Sequence, residues 1–370
     1  MPHPSHGEFL ARRSFASLDG IRCLSIVAVV WHHTVAGVSW LPATKRGFLG
    51  VDMFFVVSGF LIVTLLLRER DRTGGISLRR FHTRRALRIF PAYYGVLMVL
   101  VVALGVFRRD GALARPFFDE LPYYLTYTSN WVELHTLLAI SWSLAAEAQF
   151  YLVWPPVEKF AGRIAIPILL AIIAANQLVN FGAVNAATLA RIGLHGDLPM
   201  LQATFTPICL GVGVAHLLHS SGGFSAASRA LSSRWASPLA LAPIVALCLV
   251  PSADISGLLR LLIQLAMALF LCACVVREDH GMRRVLCSPA IVRIGVISYG
   301  VYLYHLFGRH VAEVLLESTG LDAPLLRFAA TLLLAVAVAE ISFRYYETPF
   351  LRMKDWLAAR AAFRHGAAGP

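Results

Sequence analysis

The stretch GVDMFFVVSGFLIVTLLL, residues 50–67, has one charged residue, Asp52, in a run otherwise dominated by Val, Leu, Ile and Phe. A soluble helix of that length would show a polar stripe every three or four residues. None is visible here, and Arg68, Arg70 and Arg72 follow at once. A bilayer core of about 30 Å takes about 20 apolar residues as a helix, and backbone polar groups in lipid must be satisfied inside the segment. The stretch therefore reads as a membrane-spanning helix, and the fold class as all-α.

The same template applied outward gives ten candidate spans: 23–40, 50–67, 90–107, 137–157, 164–181, 203–219, 237–250, 257–276, 294–316 and 325–346. Composition agrees. The chain is 58% hydrophobic and 15% charged, with a mean hydropathy of +0.67, whereas soluble domains carry about 25% charged residues. The net charge of +12 does not point to nucleic acid, because the basic residues cluster between apolar blocks. Most of the Lys and Arg fall before the first span, in the even-numbered connections and after the last span. Arg12, Arg13 and Arg22 stand at the start, a block from Arg68 to Arg88 follows, and Arg277, Arg283, Arg284 and Arg293 come later. The positive-inside rule then expects about ten transmembrane helices with both termini in the cytoplasm of a bacterial inner membrane, and anionic lipid as a surface partner.

The first apolar block has no small-residue cleavage site after it and is read as a retained helix. The six cysteines lack ligand spacing with histidines, so they are expected to be small apolar packing residues, with no metal site. The expected division is a cytoplasmic tail over 1–17, a membrane domain over 18–350 and a second tail over 351–370, without a soluble domain.

Ionisable groups inside spans cost about 2.5–3.5 kcal/mol each at the helix centre, so they face partners or cavities. Arg22 and His33 are eleven residues apart, close to three turns, and share a helix face about 16 Å apart. That spacing expects Arg22 at the cytoplasmic edge and His33 deep in the bilayer. A neutral imidazole there serves either as a general base for a hydroxyl or as a hydrogen-bonding group within the bundle. Asp52, near the outer end of its span, could orient a histidine, bind an acceptor hydroxyl or sit as an interfacial carboxylate. Arg85 and Arg88, three apart, can point together and match a phosphate, although orientation alone also places arginines here. Ser143, Glu147 and Tyr151 recur every four residues as one polar stripe, next to Trp142. Ser298, Tyr302, His305 and Arg309 repeat the pattern in the ninth span.

Taken in order, these segments resemble the acyltransferase-3 family of integral membrane acyltransferases. The matching stretches run from Leu18-Asp19-Gly20-Ile21-Arg22 with His33, through Gly50-Val51-Asp52 and Arg85 to Arg88, to Trp142-Ser143-Leu144 with Glu147. They continue through Ile297-Ser298-Tyr299 with His305 to Glu347-Thr348-Pro349. The resemblance implies that Arg22 and His33 are the family's arginine and histidine separated by ten residues, and that Arg85 and Arg88 are its acyl-CoA-associated arginine pair. Where the family often has two consecutive acidic residues, this chain has Glu147 followed by Ala148.

The activity implied is transfer of an acyl group, acetyl first among the candidates, from cytosolic acyl-CoA to a hydroxyl of an extracytoplasmic carbohydrate or glycoconjugate. His33, Asp52 and Glu147 would form the catalytic set. Arg85, Arg88 and Arg22 would hold the donor, with Trp142, Ser143, Tyr151, Tyr302 and His305 in support. The family's optional hydrolase-like domain is absent from these residues, which implies delivery by the membrane domain or by a separate protein. A transporter of a polysaccharide precursor and a non-catalytic export scaffold remain the competing readings.

Overall fold

The computed structural model describes residues 5–12, 14–35, 42–109, 111–191, 205–252, 254–320 and 323–353, and every regular element among them is helical. Ten helices overlap the ten apolar stretches: α1 (Ala16–Val35), α2 (Leu49–Thr73), α3 (Leu78–Val102), α4 (Ser141–Phe160), α5 (Ala165–Asn180), α6 (Thr206–His219), α7 (Ala236–Leu249), α8 (Leu258–Val276), α9 (Ser298–Thr319) and α10 (Pro324–Ile341). Shorter helices connect some of them.

Fewer than ten of these meet the length and apolarity of a full span. Among the described residues, six segments do: Leu49–Thr73, Leu78–Phe107, Leu137–Phe160, Gly162–Asn180, Leu258–Val276 and Pro324–Met353. A seventh is added if Pro289–Val296 and Ser298–Ser318, bent by 78°, count as one. Helices α6 and α7, at 14 residues each, are about 21 Å long at 1.5 Å per residue, short of a 30 Å core. Helix α1 is long enough, but Asp19, Arg22, His32 and His33 dilute its apolarity. The chain is thus a multi-pass membrane helix bundle in which some helices serve the interior rather than the lipid.

Helix α2 forms the centre, buried along most of its length from Leu49 to Leu67. It crosses α6 at glycines on both sides. A Cβ on Gly59 would stand 2.0 Å from the Ile208 carbonyl oxygen, and one on Gly211 would stand 2.1 Å from that of Val56. Small residues let the two backbones touch, which is how helices gain contact area where lipid gives no hydrophobic drive. Helices α3, α5 and α10 turn Val99, Leu170 and Leu333 outward, as lipid-facing surfaces do.

At one end of the bundle the helix His6–Ala11 docks through Phe9, 1% exposed, and Arg68 donates to the Phe9 and Arg12 carbonyls. Near the other end, buried Arg46 donates to the carbonyls of Leu247, Val250 and Ser252 at 2.8–3.0 Å, closing the C-terminus of α7. An arginine is suited to that place because its fork meets several unpaired helix carbonyls at once.

Candidate active site

The polar stripe of α4 points into the bundle. Glu147 accepts short hydrogen bonds from Ser58 of α2 and from Tyr151 one turn along α4. Tyr302 of α9 donates to the Ile140 carbonyl at 2.9 Å, and its hydroxyl lies 2.7 Å from Ser143 Oγ. Ser58, Glu147, Ser143 and Tyr302, with Arg22, Val51 and Tyr299, line a cavity of about 60 Å³. A carboxylate inside a membrane bundle needs such donors, since none come from lipid.

Arg22 lines this cavity from the second turn of α1, which begins at Ala16, seven residues before the apolar stretch. Among the described residues its one ion pair is with Asp19 at 3.8 Å. Arg88 is close enough to Arg22, Asp19 and Glu347 to interact with their charges. Arg85 stacks over the rings of Tyr151 at 5.5 Å and Phe81 at 5.7 Å. Among the described residues neither Arg85 nor Arg88 makes an ion pair, so two guanidinium groups stand uncommitted beside the cavity.

His33 lies on α1, two residues before Val35, the last described residue of that helix. Its Nδ1 is 3.0 Å from Nε2 of His305 on α9, with the ring centroids 4.9 Å apart. His305 is fully buried, and its Nδ1 is 2.6 Å from the Tyr302 carbonyl oxygen. Neither Asp52 nor Glu147 is the imidazole's partner. His33 lines neither of the two cavities described here, but its partner His305 is bonded to Tyr302, which lines the smaller one. The neighbouring His32 turns away and bonds the Lys45 carbonyl at 3.0 Å.

A second, larger cavity of about 540 Å³ is lined by Asp52 and Trp142, the chain neighbours of Val51 and Ser143 in the first. Phe55, which lines the smaller cavity, meets Trp142 edge-on at 6.4 Å between the two. Asp52, 2% exposed, accepts from Gln264 Nε2 at 2.9 Å and stands 3.4 Å from Arg260 Nη2. Arg260 lines the cavity while its Nε is buried without a hydrogen-bond acceptor.

Asn130, Glu133 and His135 line the same cavity from the connection before α4. That segment is held in place from two sides. Gln149 pairs with the Asn130 amide at 2.8 and 3.1 Å and donates to the Tyr127 carbonyl at 2.8 Å. Tyr127 has φ = 54°, a left-handed conformation that a bulky residue adopts only when its surroundings impose it. Stacking on Tyr93 at 4.5 Å helps to impose it. Glu120 takes the His135 backbone N–H at 2.7 Å and the Tyr124 hydroxyl at 2.5 Å.

Pairwise contacts connect many of the residues expected from sequence: Arg85 with Tyr151, Tyr151 with Glu147, Ser143 with Tyr302, and Tyr302 with His305 and so His33, while Trp142 and Asp52 line the larger cavity. Arg260, Gln264 and Asn130 belong to the site and were not among the expected residues. Arg260 and Gln264 did carry a signal, since polar residues four apart within an apolar span mark one helix face turned to an interior. Asn130 carried none, because a loop residue has no periodicity to betray it. Among the described residues, no group of three or more His, Cys, Asp or Glu is placed to hold a metal ion.

Comparison with known proteins identifies relatives of the chain. The chain is 29% identical to the peptidoglycan O-acetyltransferase OatA of Listeria monocytogenes, over 92% of this chain and 56% of that protein. It is 26% identical to the O-acetyltransferase OatA of Staphylococcus aureus, over 94% of this chain and 58% of that protein. The chain therefore spans a little over half the length of these relatives. No solved structure matches it significantly. The acyltransferase-3 family model, an acyltransferase domain, matches residues 15–343, and the chain belongs to that family.

Proposed function

We propose that this chain is an inner-membrane O-acetyltransferase that carries an acetyl group from cytosolic acyl-CoA to a hydroxyl of an extracytoplasmic carbohydrate. The observation that carries the reading is the line of polar residues that runs from two uncommitted arginines to a paired histidine. The names of the relatives make peptidoglycan the first acceptor to test.

In this reading the donor's phosphates rest on Arg85 and Arg88, whose planar groups suit bidentate phosphate contact. The acyl end reaches inward past Arg22 and Glu147. An acceptor sugar enters the larger cavity, where Trp142 offers an aromatic face and Asp52 a hydrogen-bond acceptor for hydroxyls. His33 removes the hydroxyl proton as the oxygen attacks the thioester carbon. The tetrahedral intermediate then expels the thiolate, which recovers the proton from the imidazolium, leaving an ester and free CoA. Ser143, Tyr151 and Tyr302 hold Glu147 and the cavity wall in place. This polarity accompanies both termini in the cytoplasm and the tails over 1–17 and 351–370 outside the membrane domain.

The test is mass spectrometry of cell-surface glycans, with the gene present, deleted, or carrying His33→Ala. Loss of an acetyl ester in both altered strains, with the variant at wild-type abundance, is the expected result. An unchanged ester content in the deletion strain overturns the reading.

A further inference from the structure

We infer that His305 is a positioning residue that fixes the tautomer of His33, leaving Nε2 of His33 as the basic nitrogen. The inference rests on the reading of His33 as the general base and adds to it which nitrogen acts and what selects it.

The hydrogen bonds dictate the assignment. A carbonyl oxygen only accepts, so the 2.6 Å contact between His305 Nδ1 and the Tyr302 carbonyl requires a proton on Nδ1. A neutral imidazole carries one N–H, so His305 Nε2 then presents a lone pair. The 3.0 Å contact with His33 Nδ1 in turn requires a proton on His33 Nδ1. The Val29 carbonyl, one turn back on α1, also accepts from the His33 ring, and Nδ1 is the ring nitrogen that the helix's own backbone reaches, so His33 Nε2 is left as the unprotonated one. These contacts set two tautomers, and the lone pair they leave over is that of His33 Nε2.

The proton balance closes. When His33 Nε2 takes the acceptor's proton, the ring becomes an imidazolium with both nitrogens protonated. Its Nδ1–H then donates a charge-assisted bond to neutral His305, stronger than the resting one. On transfer of the Nε2 proton to the departing thiolate, the resting tautomers return. His305 is fully buried and the Tyr302 carbonyl belongs to its own helix, so the acceptor nitrogen is held rigidly in front of His33.

The amide side chains separate this role from packing. Gln at 305 can place a carbonyl oxygen where Nε2 stands, whereas Asn reaches only as far as Nδ1 and Leu offers no acceptor. The experiment uses the full chain in its native cells, with isotopically labelled acetate followed into surface esters, for His305→Gln, His305→Asn, His305→Leu and His33→Gln. We expect His305→Gln within about tenfold of wild type, and His305→Asn and His305→Leu lower by about 100-fold or more at equal abundance, the range of a general-base contribution. His305→Leu near wild-type rate, with His33→Gln inactive, overturns the role of His305 alone. An active His33→Gln overturns the general-base reading itself. Nitrogen-15 NMR of histidine-labelled protein in lipid, with the His33 signal taken from the difference against His33→Gln, gives a result independent of activity. A proton on Nδ1 of His33 is expected, and a proton on Nε2 instead overturns the inference.

Discussion

Asp52 and Arg260 are separated by 208 positions in the chain, yet carboxylate and guanidinium stand 3.4 Å apart at the wall of the larger cavity. Asp52 is buried and also holds Gln264. Removing one partner of a buried pair leaves an uncompensated charge, at a cost of about 3–5 kcal/mol. Arg260→Ala should therefore lower the thermal unfolding temperature clearly, and adding Asp52→Asn should recover part of the loss. A double-mutant cycle in detergent measures the coupling. Strictly additive effects would show that the two side chains do not act as a pair.

Arg85 stacks on Tyr151, so shape as well as charge matters at this position. Arg85→Lys keeps the charge but loses the planar group, and should raise the KM for acetyl-CoA by about as much as Arg85→Ala, on the order of tenfold. Arg88, exposed and less enclosed, should tolerate Lys better. Steady-state kinetics with varied donor concentration checks both, and a KM unchanged in all three variants removes these arginines from donor binding.

Gly59 leaves no room for a side chain, because the obstruction is the Ile208 backbone rather than a movable group. Gly59→Ala should force α2 and α6 apart and cost about 1–3 kcal/mol, as overpacking does. The folded fraction by size-exclusion chromatography should fall, whereas Gly222→Ala, at a glycine with no atom within 4 Å of the added Cβ, should leave it unchanged.

His280 lies in the connection after α8, where its ring bridges Ser17 Oγ at 2.7 Å and Ser237 Oγ at 3.1 Å. Burial, helped by the nearby Arg283 charge and opposed by Asp279, lowers its pKa below the usual 6.5. The unfolded chain then binds the proton more readily than the folded one. The stabilisation is complete above about pH 6.5 and is lost as the pH falls through the lower folded value. Unfolding temperature should drop between pH 7.5 and 5.5, and His280→Gln should shrink that drop. An equal drop in the variant would assign the pH dependence to other groups.

Much of the site was legible because lipid makes polar residues conspicuous. Arg22, His33, Asp52, Glu147 and His305 stood out in the sequence for the cost of placing them in an apolar run. The start of α1 was not legible. Hydropathy marks where apolar residues begin, whereas α1 starts at Ala16, where its backbone hydrogen bonds begin. Fewer than ten helices among the described residues have the length and apolarity of a full span, since the 14 residues of α6 and α7 satisfy composition but not length.

By itself the sequence determined that the chain is helical, multi-pass and lined with polar groups at regular turns, because hydrogen-bond closure in lipid and the 3.6-residue period follow from local chemistry. Only the tertiary structure decided the partners: His305 rather than Asp52 for His33, Arg260 for Asp52, Ser58 for Glu147. Those pairings depend on which helices cross and at what height. That is settled by packing between segments far apart in the chain, such as the contact of Gly59 with Ile208, and no local pattern encodes it.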